Sequence, residues 1–370
     1  MAKQLKVLFL TQYDINGPSS RIRVYQFVPF FEKEGISCTI KPLITGPVKE
    51  RLKILLQDTK IWPRVKICLY ILGRFLLRYR DVLSARHYDI VVVQKDVLPF
   101  GLFYLLRLVN SNFIYEFDDA IWETSPDVNK KSLILKLIFW YRRRLFLRLV
   151  KKAKVVIAEN SYLEKFARQH NQRVEVISAP IDTNKYLPRD TKNDDRIVIG
   201  WLGTPMTSYL LDLIKEPLTA VAGEVPNVEF HNIAGSPVEF PGVKVVNIPW
   251  SEEKEVEYLS AFDIGVMPLD NTDFNKGRLG YKMLLYASMG LPIVADDVGL
   301  NRDVVTDGIN GYLVKTTAEW QARLLSLIKQ PALREEMGKK ARAFTIGKYD
   351  LRICVAKYKS ILESLDKNKN

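Results

Sequence analysis

One unit occurs twice in this chain: an apolar strand, a glycine-bearing loop, then a helix. The first copy runs from Leu5 to Thr11, turns through Asp14 to Ser20 with Asn16-Gly17-Pro18 at its centre, and continues as a helix to Glu34. Gly35 stops that helix, and Ile36 to Ile40 reads as the next strand. The second copy starts about 190 residues later at Arg196-Ile197-Val198-Ile199-Gly200-Trp201-Leu202. It turns through Gly203-Thr204-Pro205, enters a helix from about Thr207 to Ala222, and is followed by strands Val228 to Ile233 and Val243 to Ile248. Strands alternating with helices require a parallel sheet covered on both faces. The expectation is an α/β chain of two doubly wound domains facing a cleft. A length of 370 residues accommodates two domains.

The polar, proline-bearing stretch Pro188 to Asp195 is the expected hinge. The expected division is therefore 1–190, 191–345, and a C-terminal helix in 346–370 that crosses back to the first domain. Within the second domain, Ile264 to Leu269 reads as a buried strand, Lys276 to Met289 as containing a helix, and Pro292 to Asp296 as the next strand.

Cys38, Cys68 and Cys354 are the three cysteines. An odd count with no CxxC pair argues against a disulfide framework and a zinc site, and suits a reducing cytosol. The N-terminus leads into the first strand without the spacer and cleavage site of a secretory signal. The longest apolar stretches, 97–114 and 133–150, are broken by Arg107, by Lys136, and by Arg142-Arg143-Arg144, so no transmembrane helix is expected. His87, His170 and His231 share no spacing and read as surface or packing residues.

The net charge of +13 is not evenly spread. Residues 49–86 hold ten basic residues, including Lys49, Arg51, Lys53 and Lys60, against three acids; residues 130–154 hold ten more, from Lys130 and Lys131 to Lys154, and no acid. Large apolar residues alternate with both sets, among them Trp62, Tyr70 and Phe75 in the first and Leu137, Trp140 and Tyr141 in the second. Basic amphipathic helices bearing aromatics bind anionic bilayer surfaces. The plainer reading is two solvated helix faces around a core stripe. No nucleic-acid signature accompanies the charge, so nucleic acid is not an expected partner.

Ligands of doubly wound sheets sit at the carboxyl ends of the strands. Neither start carries GxGxxG, which weakens a dehydrogenase reading, and no Walker lysine motif argues for an NTPase. The most informative segment is Lys276-Gly277-Arg278-Leu279-Gly280-Tyr281-Lys282, running on through Leu285 to Ser288-Met289-Gly290-Leu291-Pro292-Ile293-Val294-Ala295. It reads as a basic glycine loop entering a short buried helix. Backbone N–H groups at that helix start, with Arg278 and Lys282, form an anion trap suited to a diphosphate.

This segment resembles the nucleotide-sugar-binding half of GT-B fold glycosyltransferases, specifically the group 1 (family 4) retaining enzymes. Their pattern there is a basic glycine loop followed by K-x-L-E-Y-x-A-x-G-x-P-V-V-A. Gly17-Pro18-Ser19-Ser20-Arg21-Ile22-Arg23 resembles the family's first loop, and Ile114-Tyr115-Glu116-Phe117-Asp118-Asp119 its mid-domain strand end. Ala158-Glu159-Asn160-Ser161 and Val176 to Asp182 resemble the stretch before its hinge. The resemblance covers most of residues 1–345. It implies two Rossmann-like domains and a metal-independent, retaining transfer of a hexose-type sugar to a glycan or lipid-linked acceptor. The nucleotide sugar is a co-substrate and no cofactor is required. The expected setting is the cytoplasmic face of the membrane, in cell-surface polysaccharide or glycolipid synthesis.

Carried onto this sequence, the resemblance makes Asp118, Asp119, Arg278 and Lys282 the catalytic candidates. Gly203, Thr204, Lys276, Gly280, Tyr281 and Leu285 become donor-binding candidates, and Gly17, Ser20 and Arg21 an acceptor or phosphate loop. A single charge at 4 Å contributes about 4 kcal/mol at an effective dielectric near 20, which is why Arg278 and Lys282 lead. Arg21 or Arg23 is expected to reach the phosphates from the first loop. The sequence departs from the family at several places. The ribose-binding Glu is replaced by Leu285 and the Glu eight residues before it by Gly277, the family's Arg and Lys by Gly203-Thr204-Pro205-Met206-Thr207, and the strand-end His by Asp118. These departures keep two alternatives open: a non-catalytic subunit of this fold binding a membrane or partner, and a nucleotide-sugar epimerase or phosphorylase of the same architecture.

Overall fold

The computed structural model describes residues 4–46, 61–123, 133–189, 195–233, 236–278 and 280–366. Lys49, Arg51, Lys53, Lys60, Lys130, Lys131, Leu279 and the middle of the expected hinge lie outside them. The chain divides into two compact units, Met1–Ser178 with Cys354–Asn370, and Ala179–Ile353.

The first unit holds six parallel strands: β1 (Lys6–Tyr13), β2 (Ser37–Ile44), β3 (Ile90–Gln94), β4 (Phe113–Phe117), β5 (Val155–Ala158) and β6 (Val174–Val176). Their order is β2-β1-β3-β4-β5-β6. Every residue of β3 and β4 is buried, as sheets covered on both faces require. Right-handed crossovers send the connection out of β1 over one face and those into β3, β4 and β5 over the other. The latter layer is α2 (Ile61–Ser84), α3 (Leu102–Val109) and α4 (Leu133–Lys152), with α5 (Ser161–Arg168) beside them. Val82, Leu102, Phe103, Leu106, Phe146 and Leu149 pack from this layer onto the sheet. On the other face, Phe27 and Phe31 beside and within α1 (Val28–Lys33) meet Tyr358 edge-on at 5.3 and 5.4 Å.

The second unit repeats the plan with β7 (Ile197–Leu202), β8 (Val228–Ile233), β9 (Lys244–Ile248), β10 (Ile264–Met267), β11 (Ile293–Asp296) and β12 (Gly311–Val314), in the order β12-β11-β10-β7-β8-β9. Its helices include α6 (Lys215–Glu224), α7 (Glu255–Ser260), α8 (Tyr281–Ser288), α9 (Thr317–Lys329) and α10 (Pro331–Tyr349). Trp201, Phe230, Ile264, Val294 and Trp320 centre its core. The helix expected from Thr207 differs. A 3₁₀ coil runs Pro205–Ile214 and α6 follows as a separate helix. Pro217, without an N–H, is tolerated only in a first turn, so the α-helix restarts at Lys215.

The units meet the sequence-based boundaries imperfectly. Residues 179–189 belong to the second unit because Ile181 bridges Asp350, Thr183 Oγ1 donates to Asp350, Tyr186 donates to Glu255 at 2.6 Å, and Arg189 pairs with Asp263. Of α11 (Leu351–Ser364), the part from Cys354 belongs to the first unit, where Tyr358 reaches Glu116.

Candidate functional site

In each sheet the strand order reverses once, between β1 and β3 in the first unit and between β7 and β10 in the second. Loops leaving the carboxyl ends of such a pair diverge and leave a crevice. Gly17, Ser20, Arg21, Gly203, Thr204, Lys276, Arg278 and Gly280 lie on or at the end of these loops; Tyr281, Lys282 and Leu285 are in α8, which follows, and Asp118 and Asp119 come directly after β4.

In the first unit the crevice is filled by a chain of hydrogen bonds. Ser20 Oγ, fully buried, accepts from the Tyr13 N–H at 3.1 Å and donates to Gln94 Oε1 at 2.8 Å. Gln94 Nε2 donates to Ser19 Oγ at 2.9 Å, and Ser19 Oγ donates to Asp118. Lys95 Nζ lies 2.9 Å from Asp118 Oδ1 and also bonds Asp119. Burial alone would neutralise both partners. Instead Asp118 and Asp119 raise the Lys95 ammonium, while Lys95 and Ser19 hold the Asp118 carboxyl below its usual range. Lys95 pays for this place with a backbone φ of 60°, a strain that clusters at functional sites.

Beneath this chain lies a second network. Arg23 is completely buried; its Nε donates to Glu116 Oε1 at 2.7 Å and its Nη1 to Glu159. Tyr358 donates to Glu116 Oε2 at 2.9 Å. Burial works against the Arg23 charge, but Glu159 and Glu116 hold the guanidinium firmly ionised. Burial also lifts the Glu116 carboxyl above its usual value.

In the second unit Trp201 is the last residue but one of β7, and its indole packs against Gly203. A Cβ at Gly203 would stand 2.0 Å from the indole Cη2, so only glycine admits this packing. Lys282 Nζ stacks over the same indole, 4.4 Å from the ring centroid. Burial, then the neighbouring Arg278 charge, push the Lys282 ammonium down to about 7. Arg278 Nη1 donates to Asn275 Oδ1 at 3.0 Å. Asn275, itself buried, donates to Asp270 Oδ1 at 2.7 Å and to the Tyr209 hydroxyl at 3.2 Å. Asp296 at the end of β11 steadies the same loop by accepting from the Leu269 N–H at 2.7 Å and from Trp320 Nε1 at 3.0 Å. Among the described residues, neither Arg278 nor Lys282 has a carboxylate partner. Arg278 and the half-buried Lys282, adjacent and without a carboxylate beside them, favour any anion that enters.

Several expectations are corrected. Arg23 does not reach outward: it is locked between two buried glutamates. The Lys276 ammonium is spent on Asp273 at 2.8 Å rather than on the loop's interior. Tyr281 shares a hydrogen bond with Tyr186, whose hydroxyl burial and nearby Tyr281 and Glu255 keep protonated. Leu285 is completely buried and offers no polar atom to a ribose. The Ser20 hydroxyl spends its proton on Gln94 and accepts from the Tyr13 N–H within the fold. Gly17 is buried against Tyr13, whose Cβ would lie 2.3 Å from an added Cβ, so its role is to let the loop pass. Thr204 is exposed and forms a capping box with Thr207 at the start of the 3₁₀ coil. Gly280 is buried as the residue that opens α8. Arg21 is half-buried in the turn after Ser20. Lys95, Ser19, Gln94, Trp201 and Asn275 were not among the expected site residues. Their sequence signal was only position, each lying at or just beyond a strand's carboxyl end or in the basic loop. Among the described residues, no group of three or more His, Cys, Asp or Glu is placed to hold a metal ion.

The architecture has solved counterparts. A glycosyltransferase from Rickettsia africae ESF-5 superposes with a TM-score of 0.70 at 14% identity, covering 99% of both chains. Sucrose-phosphate synthase from Thermosynechococcus elongatus gives 0.69 at 13% identity over 98% of this chain and 99% of that one. HepE from Anabaena, in complex with UDP, gives 0.68 at 15% identity over 97% of this chain and 100% of that one. By sequence, no curated protein matches. The family model described as glycosyl transferases group 1 matches residues 212–330, which include Arg278, Lys282 and all of α8. The chain therefore has the GT-B fold, and residues 212–330 of its second unit match the family model of the glycosyl transferases of group 1.

Proposed function

We propose that this chain transfers a hexose-type sugar from a nucleotide-sugar donor to a glycan or lipid-linked acceptor, with retention of the anomeric configuration and without a metal. The observation that carries the reading is Lys282, an ammonium lowered to about 7 by burial, stacked on Trp201 and left without a carboxylate beside Arg278. That arrangement costs free energy until an anion occupies it. A departing nucleoside diphosphate supplies that charge. Arg278 and Lys282 stabilise it as the bond between the sugar's anomeric carbon and the phosphate oxygen breaks; the acceptor hydroxyl oxygen bonds that carbon on the same face, and its proton passes to the leaving phosphate. Losing one such preorganised contact costs roughly 100- to 1000-fold in rate. The Lys95-held Asp118 and Asp119 orient acceptor or sugar hydroxyls. HepE is described bound to UDP-glucose and to UDP with glucose, which supports a nucleotide-sugar donor here. WaaB, similar at a TM-score of 0.63, is a lipopolysaccharide outer core galactosyltransferase, which supports a cell-surface glycan or glycolipid pathway. The setting proposed for this pathway is the cytoplasmic face of the membrane.

The test is a thermal-shift panel of UDP-, GDP- and dTDP-sugars. A donor at about 100 times its dissociation constant stabilises by roughly 2.7 kcal/mol. No response to any nucleotide or nucleotide sugar would sink the reading. For a donor that binds, NMR of the product's anomeric proton decides retention, and turnover in EDTA decides metal independence. Leu285 favours a second reading, a non-catalytic subunit of the same fold. In that case the donor binds without transfer or hydrolysis, and replacing Arg278 and Lys282 leaves the protein's biological role intact.

A further inference from the structure

We propose that the outer layer of the first unit, made by α2, the Lys95–Gly101 loop, α3 and α4, is a docking surface for an anionic lipid bilayer, and that this loop presents a lipid-borne acceptor headgroup to Asp118. The proposal rests on the transferase reading only for the word acceptor; the docking surface stands without it.

The three helices share one face of the sheet, and their outward sides form one surface. On α2, Arg74 and Arg78 turn inward to bond backbone carbonyls of Leu43, Pro42, Lys41 and Thr11. The opposite stripe, Leu69, Leu72, Leu76 and Leu83, is exposed at helical spacing. On α3, Tyr104 and Leu108 point out, Leu108 at 83% exposure. On α4, Leu133, Leu137, Trp140 and Tyr141 do the same. Contacts join the pieces: Arg148 of α4 lies over the Tyr104 ring at 5.6 Å, the Phe100 N–H donates to Tyr141 Oη at 3.3 Å, and Phe75 meets Phe100 edge-on at 5.3 Å. Apolar patches of this extent mark contact surfaces.

The charge on this face selects the partner. Lys66, Arg80, Arg107, Lys136, Arg142 and Arg143 are exposed among the apolar residues. Within the described residues of the three helices the single acid is Asp81, which is nearly buried and faces Lys41 and Arg78. A surface of leucine and aromatic side chains studded with cations and free of exposed acid fits an anionic bilayer interface. Among the described residues no helix is long and apolar enough to cross a membrane, so the contact is with the surface.

The loop ties this face to the site. Lys95, Leu98, Phe100 and Gly101 all have positive φ, at 60°, 45°, 55° and 84°. Phe100 stands at the outer surface at 62% exposure, while Lys95 holds Asp118 and Asp119. Five residues span at most about 17 Å. A headgroup at the bilayer surface beside Phe100 is therefore within one loop's length of the carboxylates. Asp96 of the same loop pairs with Arg78 of α2 at 3.1 Å, so the loop is fixed to the docking layer.

The test is co-sedimentation of the full chain with phosphatidylcholine vesicles containing 0% or about 30% phosphatidylglycerol, across added salt. The expected partition rises with anionic lipid and falls with salt. Each removed charge lowers it about fivefold, so the double variant Arg107→Glu, Arg143→Glu falls at least 25-fold. Leu108→Ser lowers it several-fold, and because Leu108 is so exposed the fold survives. Partition indifferent to anionic lipid, to salt, or to the double variant overturns the proposal. So does a lipid-free dimer, seen by sedimentation velocity, that Leu108→Ser dissolves, because that assigns the face to a second copy. For the loop, Phe100→Ser lowers turnover on a vesicle-borne acceptor at least tenfold and leaves turnover on a water-soluble acceptor unchanged; equal loss on both overturns presentation by the loop. A protein that docks to vesicles yet binds no nucleotide sugar defeats the transferase reading and leaves the docking surface standing.

Discussion

The Lys282 ammonium lies 4.4 Å from the centroid of the Trp201 indole, an amine on the short helix α8 resting on the last turn-facing ring of β7. The contact recovers part of the cost of a desolvated cation. It leaves the amine poised near neutrality, pushed down to about 7. A bound diphosphate draws a proton onto Lys282, so donor affinity falls as pH rises above about 7. Lys282→Met removes this pH dependence and reduces turnover roughly 100- to 1000-fold. Titration calorimetry with the donor at pH 6 and pH 9, with variant and parent, checks it. A pH profile shared by both proteins assigns the titration to another group.

The same depressed amine makes an unliganded stability prediction. The unfolded chain holds a proton on this lysine up to about pH 10.4, and the folded chain gives it up near 7. Between those values the unfolded state binds more protons, so this group makes stability rise with pH. The folded parent therefore gains on Lys282→Met between pH 7 and pH 9. Urea unfolding of both proteins at the two pH values measures the difference, which should close as pH rises.

Gly203→Ala tests how Trp201 is seated. The new methyl would stand 2.0 Å from Cη2, far inside contact distance. The indole must shift, at about 1–3 kcal/mol for overpacking, and it carries the Lys282 stack with it. Thermal denaturation should show a lower midpoint, and donor affinity should fall although residue 203 keeps its backbone N–H. Unchanged affinity would mean that the indole does not place the amine.

Much of this was legible beforehand, and the residues that were not share a cause. The alternation of strand and helix announced both sheets, because a strand buried on two faces is mostly apolar, as Ile90–Gln94 and Phe113–Phe117 are apart from Gln94 and Glu116. The basic loop made Arg278 and Lys282 candidates, because cations beside glycines stand out in a sequence. Lys95 did not, since its meaning depends on the β3–β4 pairing that sets it beside Asp118, more than twenty residues away. Trp201 read as a strand residue because nothing local shows what lies on its ring. Arg23 misled for the opposite reason: a loop arginine looks like a phosphate ligand until Glu116 and Glu159, on two other strands' ends, are seen to enclose it.

Asp118→Asn keeps the shape of the first unit's cluster and removes the charge that Lys95 balances. Under the transferase reading, turnover falls about 100-fold, within the range for a positioned acid or base, while donor binding in the second unit is unchanged. Steady-state kinetics with the donor and a soluble acceptor separates the two. A loss confined to donor affinity would remove Asp118 from the acceptor's side of the reaction.

Arg23→Met leaves Glu116 buried without the Arg23 cation and takes the same cation from Glu159. Breaking one partner of such a buried pair costs about 3–5 kcal/mol. Tyr358→Phe removes only a hydrogen bond to a charged group and costs about 1.5–3 kcal/mol. The pH dependence separates charge from packing. Without Arg23, burial holds the Glu116 carboxyl still further above its unfolded value, so the folded variant binds a proton that the unfolded chain releases, and its deficit shrinks as pH falls from 8 toward 5. A packing defect would show the same deficit at both. Urea unfolding at pH 5 and pH 8 distinguishes them, and a pH-independent loss would mean that Arg23 serves the fold by its volume rather than by its charge.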